Sequence, residues 1–500
     1  MEKSQIIDKN PIEDRSRISN KSPIENRNQI IDKSPIKNRN QIITKNQIVE
    51  VTIEDMTEKG EGLGRADGCP LFIKDTVIGD RVRAKVIKMK KTYGYARLVE
   101  VLSPSPDRVE PRCPVAGPCG GCQLQAMSYE AQLRFKQRKV AGHLERIGGF
   151  QDLTVLPVIG MEDPFGYRNK AQFPVGRDRE GRIVAGFYAG RTHHIIETER
   201  CYLGQPVNEE VLAAVKTWMT RFGIEPYDEE THRGLVRHVL IRVGKATGQV
   251  MVCLVICGRK VPRAKELVEA LLRIPGMTSI SYNINRSPGN VILGPECRDL
   301  YGDGAIEDRI GDLTFRISPL SFYQVNPGQT EKLYAEALAC AGLTGEEVVW
   351  DLYCGIGTIS LFLARRAKRV YGVEIVPQAV EDARENARRN GINNAEFFAG
   401  KAEEVLPRWV REHGEQVDVI VTDPPRKGCE QSLLALMVRM APRRIVYVSC
   451  DSATLARDLK VLCAGGYEIE RVQPVDMFGM SVHVETCVSL AKRIKNPEDF

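Results

Sequence analysis

Cys450 carries the chemistry that organises this chain. It follows the apolar run Arg444-Ile-Val-Tyr-Val-Ser449 and precedes a helical stretch, Thr454–Leu459. A thiol at the carboxyl end of a strand and near a helix N-terminus is expected to have a lowered pKa. Three further elements surround it in sequence. Asp351-Leu-Tyr-Cys-Gly-Ile-Gly357 is a glycine turn between a short strand and an apolar helix, Glu374 ends the next strand, and Asp423-Pro-Pro-Arg426 ends a later one. Glycines at such a turn let a cofactor approach the backbone, and an acid ending the second strand suits the two hydroxyls of a ribose. An acidic second strand occurs with both NAD and S-adenosylmethionine, and the spacing, which is not the full G-x-G-x-x-G of dinucleotide enzymes, speaks against NAD. A soft thiolate suits conjugate addition at C6 of a uracil ring, which makes C5 carbanion-like and able to take an electrophilic methyl group. The C5 proton must then leave to a base. Glu485 in His483-Val-Glu485 is the choice, and His483 is its rival.

A second group of residues points to a metal. Cys113-x5-Cys119-Gly-Gly-Cys122 places three thiols in a turn-rich loop with Pro114 and Pro118. A fourth ligand must come from afar, and Cys201 is the best-placed candidate. Four thiolates suit zinc or an iron–sulfur cluster, and spacing does not decide between them. The chain has 14 cysteines, of which nine are read as inert core residues. No export signal is legible and no apolar run approaches the roughly 18–20 residues that cross a bilayer. A disulfide framework is therefore not expected, and a cytoplasmic location is.

These residues need several domains to hold them, and 500 residues is enough for three or four. Residues 1–46 contain a repeat, Lys21-SPIENRNQII-Asp32 and Lys33-SPIKNRNQII-Thr44, and carry most of the net charge of +6. With few aromatics they are expected to form a disordered tail. Residues 47–104 read as all-β. From Arg81 to Arg97 there are seven Lys/Arg and no acid, with Tyr93 and Tyr95 among them. That composition on a small OB-like barrel suits single-stranded nucleic acid. Residues 105–320 read as α+β, with a helix over 129–147 and a strand pair, Val236–Val243 and Val250–Ile256. Residues 321–500 alternate strand and helix as a doubly wound α/β, Rossmann-like sheet.

Assembled, these motifs resemble the RNA uracil-C5 methyltransferase family, and most of all its bacterial 23S ribosomal RNA members with a TRAM domain and a [4Fe–4S] cluster. The resemblance spans roughly residues 47–495. It implies that Cys113, Cys119, Cys122 and Cys201 hold the cluster. It further implies that Gln324 of Ser321-Phe-Tyr-Gln-Val-Asn326 contacts S-adenosylmethionine together with Tyr353, Glu374 and Asp423, that Cys450 is the nucleophile, and that Glu485 is the base. The family's transfer RNA branch is read as lacking both the β-module and the thiol cluster, which favours ribosomal RNA. Asp451 stands where an asparagine is frequent, and Phe478-Gly-Met-Ser481 replaces a more usual Phe-Pro-His-Thr.

The expected activity is methyl transfer from S-adenosylmethionine to C5 of a uridine in 23S ribosomal RNA through a Cys–C6 adduct. Phe322 or Tyr323 is expected to stack near the target, and Arg168 or Lys170 to hold phosphates. The rivals are a transfer RNA uracil-C5 methyltransferase, an NAD-dependent iron–sulfur oxidoreductase, and a non-catalytic RNA-binding or iron–sulfur assembly protein.

Overall fold

The computed structural model describes residues 43–493, apart from 191 and 415. The tail reading falls almost wholly on residues 1–42, outside the described residues.

Strands β1 (Ile48–Met56), β2 (Gly62–Ala66), β3 (Cys69–Ile73), β4 (Arg81–Met89) and β5 (Gly94–Ser103) close into a barrel in the order β1-β2-β3-β5-β4. Alternation drives it: Val82, Ala84 and Val86 of β4 are buried, while the intervening cations point outward. Those cations are not all free. Arg81 and Arg83 pair with Glu50 of β1, and Arg83 also pairs with Glu100 of β5. The acids come from neighbouring strands, which a run read along one strand does not reveal. Lys88, Lys90, Lys91 and Arg97 have no carboxylate within ion-pair reach among the described residues. Lys88 lies opposite Tyr95, and the rings of Phe72, Tyr93 and Tyr95 stand 5.5–5.7 Å apart as one cluster.

Helix α1 (Tyr129–His143) starts at Ser128, whose hydroxyl accepts the Ala131 amide, and runs into a π turn over Leu144–Gly148. Its Ala131 and Phe135 pack with Met56 and Val77 of the barrel side and with Val482. The central sheet contains β6 (Lys170–Arg177), β7 (Ile183–Tyr188), β8 (Ile195–Glu197), β9 (Val236–Val243), β10 (Val250–Ile256), β11 (Met277–Ile284) and β12 (Glu296–Tyr301), ordered β12-β11-β10-β9-β6-β7-β8. Helices α2 (Val207–Phe222) and α3 (Ala264–Leu271) cover one face. The β9–β10 pairing is antiparallel, as the Gly244–Gly248 turn predicts.

A hairpin, β13 (Ile306–Ile310) and β14 (Leu313–Ile317), and helix α4 (Pro327–Ala341) lead into the last sheet. It runs β15 (Val348–Leu352), α5 (Thr358–Ala364), β16 (Arg369–Glu374), α6 (Pro377–Arg389), β17 (Ala395–Ala399), α7 (Ala402–His413), β18 (Val419–Thr422), α8 (Gln431–Met440), β19 (Arg444–Ser449), α9 (Ser452–Ala464), β20 (Tyr467–Val475) and β21 (Glu485–Lys492). The strand order is β17-β16-β15-β18-β19-β21-β20, with the first five parallel and β21 antiparallel to both neighbours. Every residue of β15 is buried, as a strand covered on both faces requires. The order reverses between β15 and β18. In such sheets a ligand crevice opens there, outside the carboxyl ends of the strands.

Candidate active site

A cavity of about 940 Å³ occupies that crevice. Gln324, Tyr353, Glu374, Asp423, Cys450 and Glu485, named separately along 162 positions of sequence, all line it.

One end is built for a cofactor. Asp351, the fourth residue of β15, accepts the Ser360 hydroxyl, while its Oδ1 is buried without a partner. Burial, reinforced by the charges of Asp423 and Glu374, pushes its carboxyl up to about 7. Tyr353 follows the strand at φ 71°, a left-handed conformation costly for a bulky residue and concentrated at ligand sites. Gly357 turns the chain into α5 at φ 84°, where a Cβ would press to 3.2 Å against Ala383. Glu374 accepts the Gly355 and Val376 amides at 3.3 and 2.9 Å, so its carboxylate also holds the glycine turn. Gln324 is buried, and its carbonyl accepts Asn169 Nδ2 at 3.0 Å, tying the central sheet to the cavity. Asp423 is pushed up to about 7 by burial.

The other end holds Cys450 and Glu485. Sheet register brings them together: Ser449 of β19 lies opposite Thr486 of β21, so the residues just beyond and just before are neighbours. Because β21 runs antiparallel, its first residue reaches the same edge as the ends of the parallel strands. Glu485 is 4% exposed and its Oε2 has no partner. Burial and the Asp423 charge hold its carboxyl well above the usual range, against the pull of Arg426.

The thiol departs from expectation. Asp451, not Cys450, caps α9, accepting the Ala453 and Thr454 amides at 3.0 Å each. The helix terminus therefore serves the aspartate, and Cys450 is pushed up to about 12 by burial and by Glu485 and Asp423. Iodoacetamide alkylation of Cys450 in the free protein should accordingly rise about tenfold per pH unit across pH 7–10 without levelling, because only the thiolate reacts. A plateau near pH 8, read by mass spectrometry of the Cys450 peptide, contradicts this environment.

Other expected residues sort clearly. His483 does not line the cavity, and burial with the Arg426 and Lys139 charges pushes its imidazole down to about 4. Phe322 is 69% exposed and lines the cavity, whereas Tyr323 turns inward, 3% exposed, its hydroxyl towards Asp308. Phe322 is thus the one of the two that faces the crevice. Arg168 and Lys170 face a different cavity, of about 410 Å³, lined by Cys113, Cys119, Cys122 and Cys201. Their assignment as phosphate holders finds no support from that placement.

This second cavity bears on the metal. Zinc–sulfur bonds of about 2.3 Å draw four sulfurs to within about 4 Å of one another. Among the described residues, no three His, Cys, Asp or Glu stand close enough to hold one metal ion. The four thiols line one cavity, and among the described residues the expected metal site is not shown. The Gly121 amide donates to Cys119 Sγ at 3.4 Å, and Lys170 is pushed down to about 7 by burial and by Arg242 and Arg168. Four thiols and an amide-to-sulfur bond are the donor chemistry that sulfur-ligated groups use.

Sequence reading missed the ties behind the site. Lys136 of α1 is fully buried and pairs with Asp476 at 2.6 Å, while Tyr129 and Lys139 bond Asp476 and the Val482 carbonyl. The partners are 340 or more residues apart, and nothing local announces them.

Comparison with known proteins agrees with this architecture. The tRNA (Uracil-5-)-methyltransferase family model matches residues 305–493, and the TRAM domain model matches residues 44–99. An uncharacterized RNA methyltransferase of Halalkalibacterium halodurans is 53% identical over 446 residues, 89% of this chain and 97% of that protein. Another, from Clostridium acetobutylicum, is 49% identical over 452 residues, 90% and 98% of the two chains. The Pyrococcus abyssi tRNA (uracil-54, C5)-methyltransferase, solved in complex with S-adenosyl-L-homocysteine, is 28% identical, covers 89% of this chain and 100% of its own, and superposes with a TM-score of 0.72. No described helix is long and apolar enough to cross a membrane. With a five-stranded barrel at its N-terminal side and a methyltransferase sheet at the other, this chain belongs to the uracil-5 RNA methyltransferase family as a member with a TRAM domain.

Proposed function

We propose that the protein methylates C5 of a uridine in 23S ribosomal RNA, with S-adenosylmethionine as donor and Cys450 as covalent nucleophile. The observation that carries this reading is the sharing of one crevice by Cys450 and Glu485 at one end and by Asp351, Glu374 and Asp423 at the other. Residues 47–104 serve as the RNA-binding barrel, 105–320 as the thiol-bearing central domain and 321–500 as the catalytic domain.

S-adenosylmethionine supplies an electrophilic methyl group. Glu374 is placed for its ribose, and Gln324, Tyr353 and Asp423 for the rest of it. The target uridine leaves its stack and enters beside Phe322. Cys450 gives its thiol proton to solvent as the uridine enters and bonds C6 as thiolate, and the C5=C6 pair moves onto C5 and O4. The C5 carbon then takes the methyl group as its bond to the donor sulfur breaks, leaving the neutral thioether. Glu485 takes the C5 proton, the double bond re-forms, and Cys450 departs as thiolate. The thiolate regains a proton from solvent, so the proton from C5 is the only net proton released.

Asp351 and Asp423, both pushed up to about 7, favour a cationic donor only when ionised. Affinity for S-adenosylmethionine should therefore tighten as pH rises from 5 through about 7 and level only above about 8. Calorimetric titration that shows no change over that range removes this pair from the binding site.

Cys113, Cys119, Cys122 and Cys201 would hold a [4Fe–4S] cluster, which would organise the loop that carries the first three of them. No step above depends on it.

A second substrate reading has its own support. The Pyrococcus abyssi relative acts on tRNA, and its match covers more of this chain than residues 105–500 alone would give. The barrel therefore does not by itself select ribosomal RNA. Labelled methyl transfer to unmodified 23S ribosomal RNA and to unmodified tRNA, followed by mapping of 5-methyluridine, decides. Transfer confined to tRNA would replace the ribosomal assignment.

A further inference from the structure

One buried imidazole joins the barrel to the nucleophile's segment. His143, the last residue of α1, is 3% exposed, with Nδ1 2.8 Å from Ser452 Oγ and Nε2 2.6 Å from Glu58 Oε1. Ser452 opens α9, two residues past Cys450. Glu58 belongs to the turn between β1 and β2, which is closed by a bond from the Thr57 amide to the Glu61 carbonyl at 2.8 Å. That turn presses on the catalytic side: Gly60, at φ 77°, has no room for a Cβ, which would meet Gln123 Cβ at 2.8 Å and Val482 at 3.2 Å.

The same face of α1 grips the segment that leads into Glu485. Lys139, four residues before His143, donates to the Val482 carbonyl at 3.0 Å, and Lys136 donates to Asp476 at 2.6 Å and to the Phe478 carbonyl at 3.1 Å. Positions 136, 139 and 143 fall on one helical stripe. A single helix face thus sets both sides of the crevice, and His143 extends it to the barrel.

A serine, an imidazole and a carboxylate in line resemble a hydrolase triad. Ser452 is 3% exposed and lines neither cavity, so no substrate reaches it. With its proton on Nε2, the ring donates to Glu58 and accepts the Ser452 hydroxyl, satisfying both nitrogens in one orientation.

We propose that His143 is a positioning residue that ties the β1–β2 turn of the barrel to the placement of Cys450. Glu58 fixes the ring from the barrel side, and the ring fixes Ser452 and the turn that presents the thiol towards Glu485. The inference rests on the reading of Cys450 as nucleophile.

The test is a double-mutant cycle on the full-length chain. Glu58→Ala, Ser452→Ala and their combination are assayed with 5-fluorouridine-substituted 23S ribosomal RNA and tRNA transcripts. The readouts are the rate of denaturation-resistant adduct formation, KM for S-adenosylmethionine, RNA affinity by gel retardation, and melting temperature. Each single change should slow adduct formation about tenfold, and the double should be no slower than either single, as expected for two ends of one linkage. KM for S-adenosylmethionine and RNA affinity should stay unchanged, and Glu58→Gln, which keeps an acceptor for Nε2–H, should restore most of the rate. Multiplying losses of about a hundredfold in the double, or unchanged rates in the singles, overturn the coupling. Losses that follow melting temperature and return on cooling also overturn it, since they mark general destabilisation. A wild-type protein that forms no adduct with either RNA removes the Cys450 reading, and the coupling with it. A wild-type adduct with multiplying single losses removes the coupling alone.

Discussion

Cys450→Ser is expected to reduce 5-methyluridine formation by about 10⁴-fold or more and to abolish the 5-fluorouridine adduct, while the fold survives. The loss follows from nucleophile chemistry. C6 of uracil is a weak electrophile, and the C5 carbon becomes reactive only after a bond forms at C6. A serine hydroxyl in the same place holds its proton far more tightly than a thiol, and its environment worsens this. Burial and two carboxylates already push the thiol up to about 12, and they oppose an alkoxide more strongly still. The swap is nearly isosteric at a half-buried position, so stability should change by less than about 1 kcal/mol. The check is labelled methyl transfer together with gel detection of the adduct and a melting curve. A variant that keeps its melting temperature and still methylates at the wild-type rate would exclude a covalent path through this sulfur.

The raised thiol also gives substrate binding a role. Arg426 is exposed, lines the crevice, and is the cation that lowers both Cys450 and Glu485. In the free protein the nearby carboxylates outweigh it, so the thiol stays protonated at neutral pH and is shielded from adventitious oxidation and alkylation. Ground-state protection and reactivity on demand are compatible when the base that later removes the C5 proton is the same group that holds the thiol down.

What the sequence made legible follows strand ends. Each of β15, β16, β18 and β19 has at or within one residue of its carboxyl end a residue whose type announces a use, and parallel strands put all those ends on one edge. Asp351, Glu374, Asp423 and Cys450 could therefore be grouped without coordinates. Glu485 entered through resemblance and choice between neighbours, because the antiparallel turn of β21 that brings it to that edge leaves no local mark. The thiol's pKa direction was misread for a related reason: a helix N-terminus does lie beside Cys450, but Asp451 takes its amides. The barrel's cations were overcounted because Glu50 and Glu100, which neutralise Arg81 and Arg83, arrive from other strands. Long-range pairings such as Lys136–Asp476 and His143–Glu58 depend on how whole elements dock, and local pattern carries no trace of them.

Glu485→Gln should separate the two halves of the reaction. Glutamine keeps the shape and cannot accept the C5 proton, so turnover should fall by about 10²–10⁴-fold, the usual range for loss of a general base. Addition and methyl transfer do not need that proton to leave. Ordinary uridine RNA should then become trapped on Cys450 as a 5-methylated adduct, which wild-type protein does not accumulate. The same change removes a negative charge that raises the thiol's pKa, so alkylation of Cys450 at alkaline pH should be faster in the variant than in wild type. Turnover thus falls while adduct accumulates, and a misfolded crevice would lower both. Glu485 is buried with one oxygen unpaired, so neutralising it should not weaken the fold and is expected to stabilise it slightly. Mass spectrometry of the RNA-linked Cys450 peptide gives the decisive reading. A trapped adduct without the added methyl group would place Glu485 before the transfer step, and normal turnover would pass the role of base to another group in the crevice.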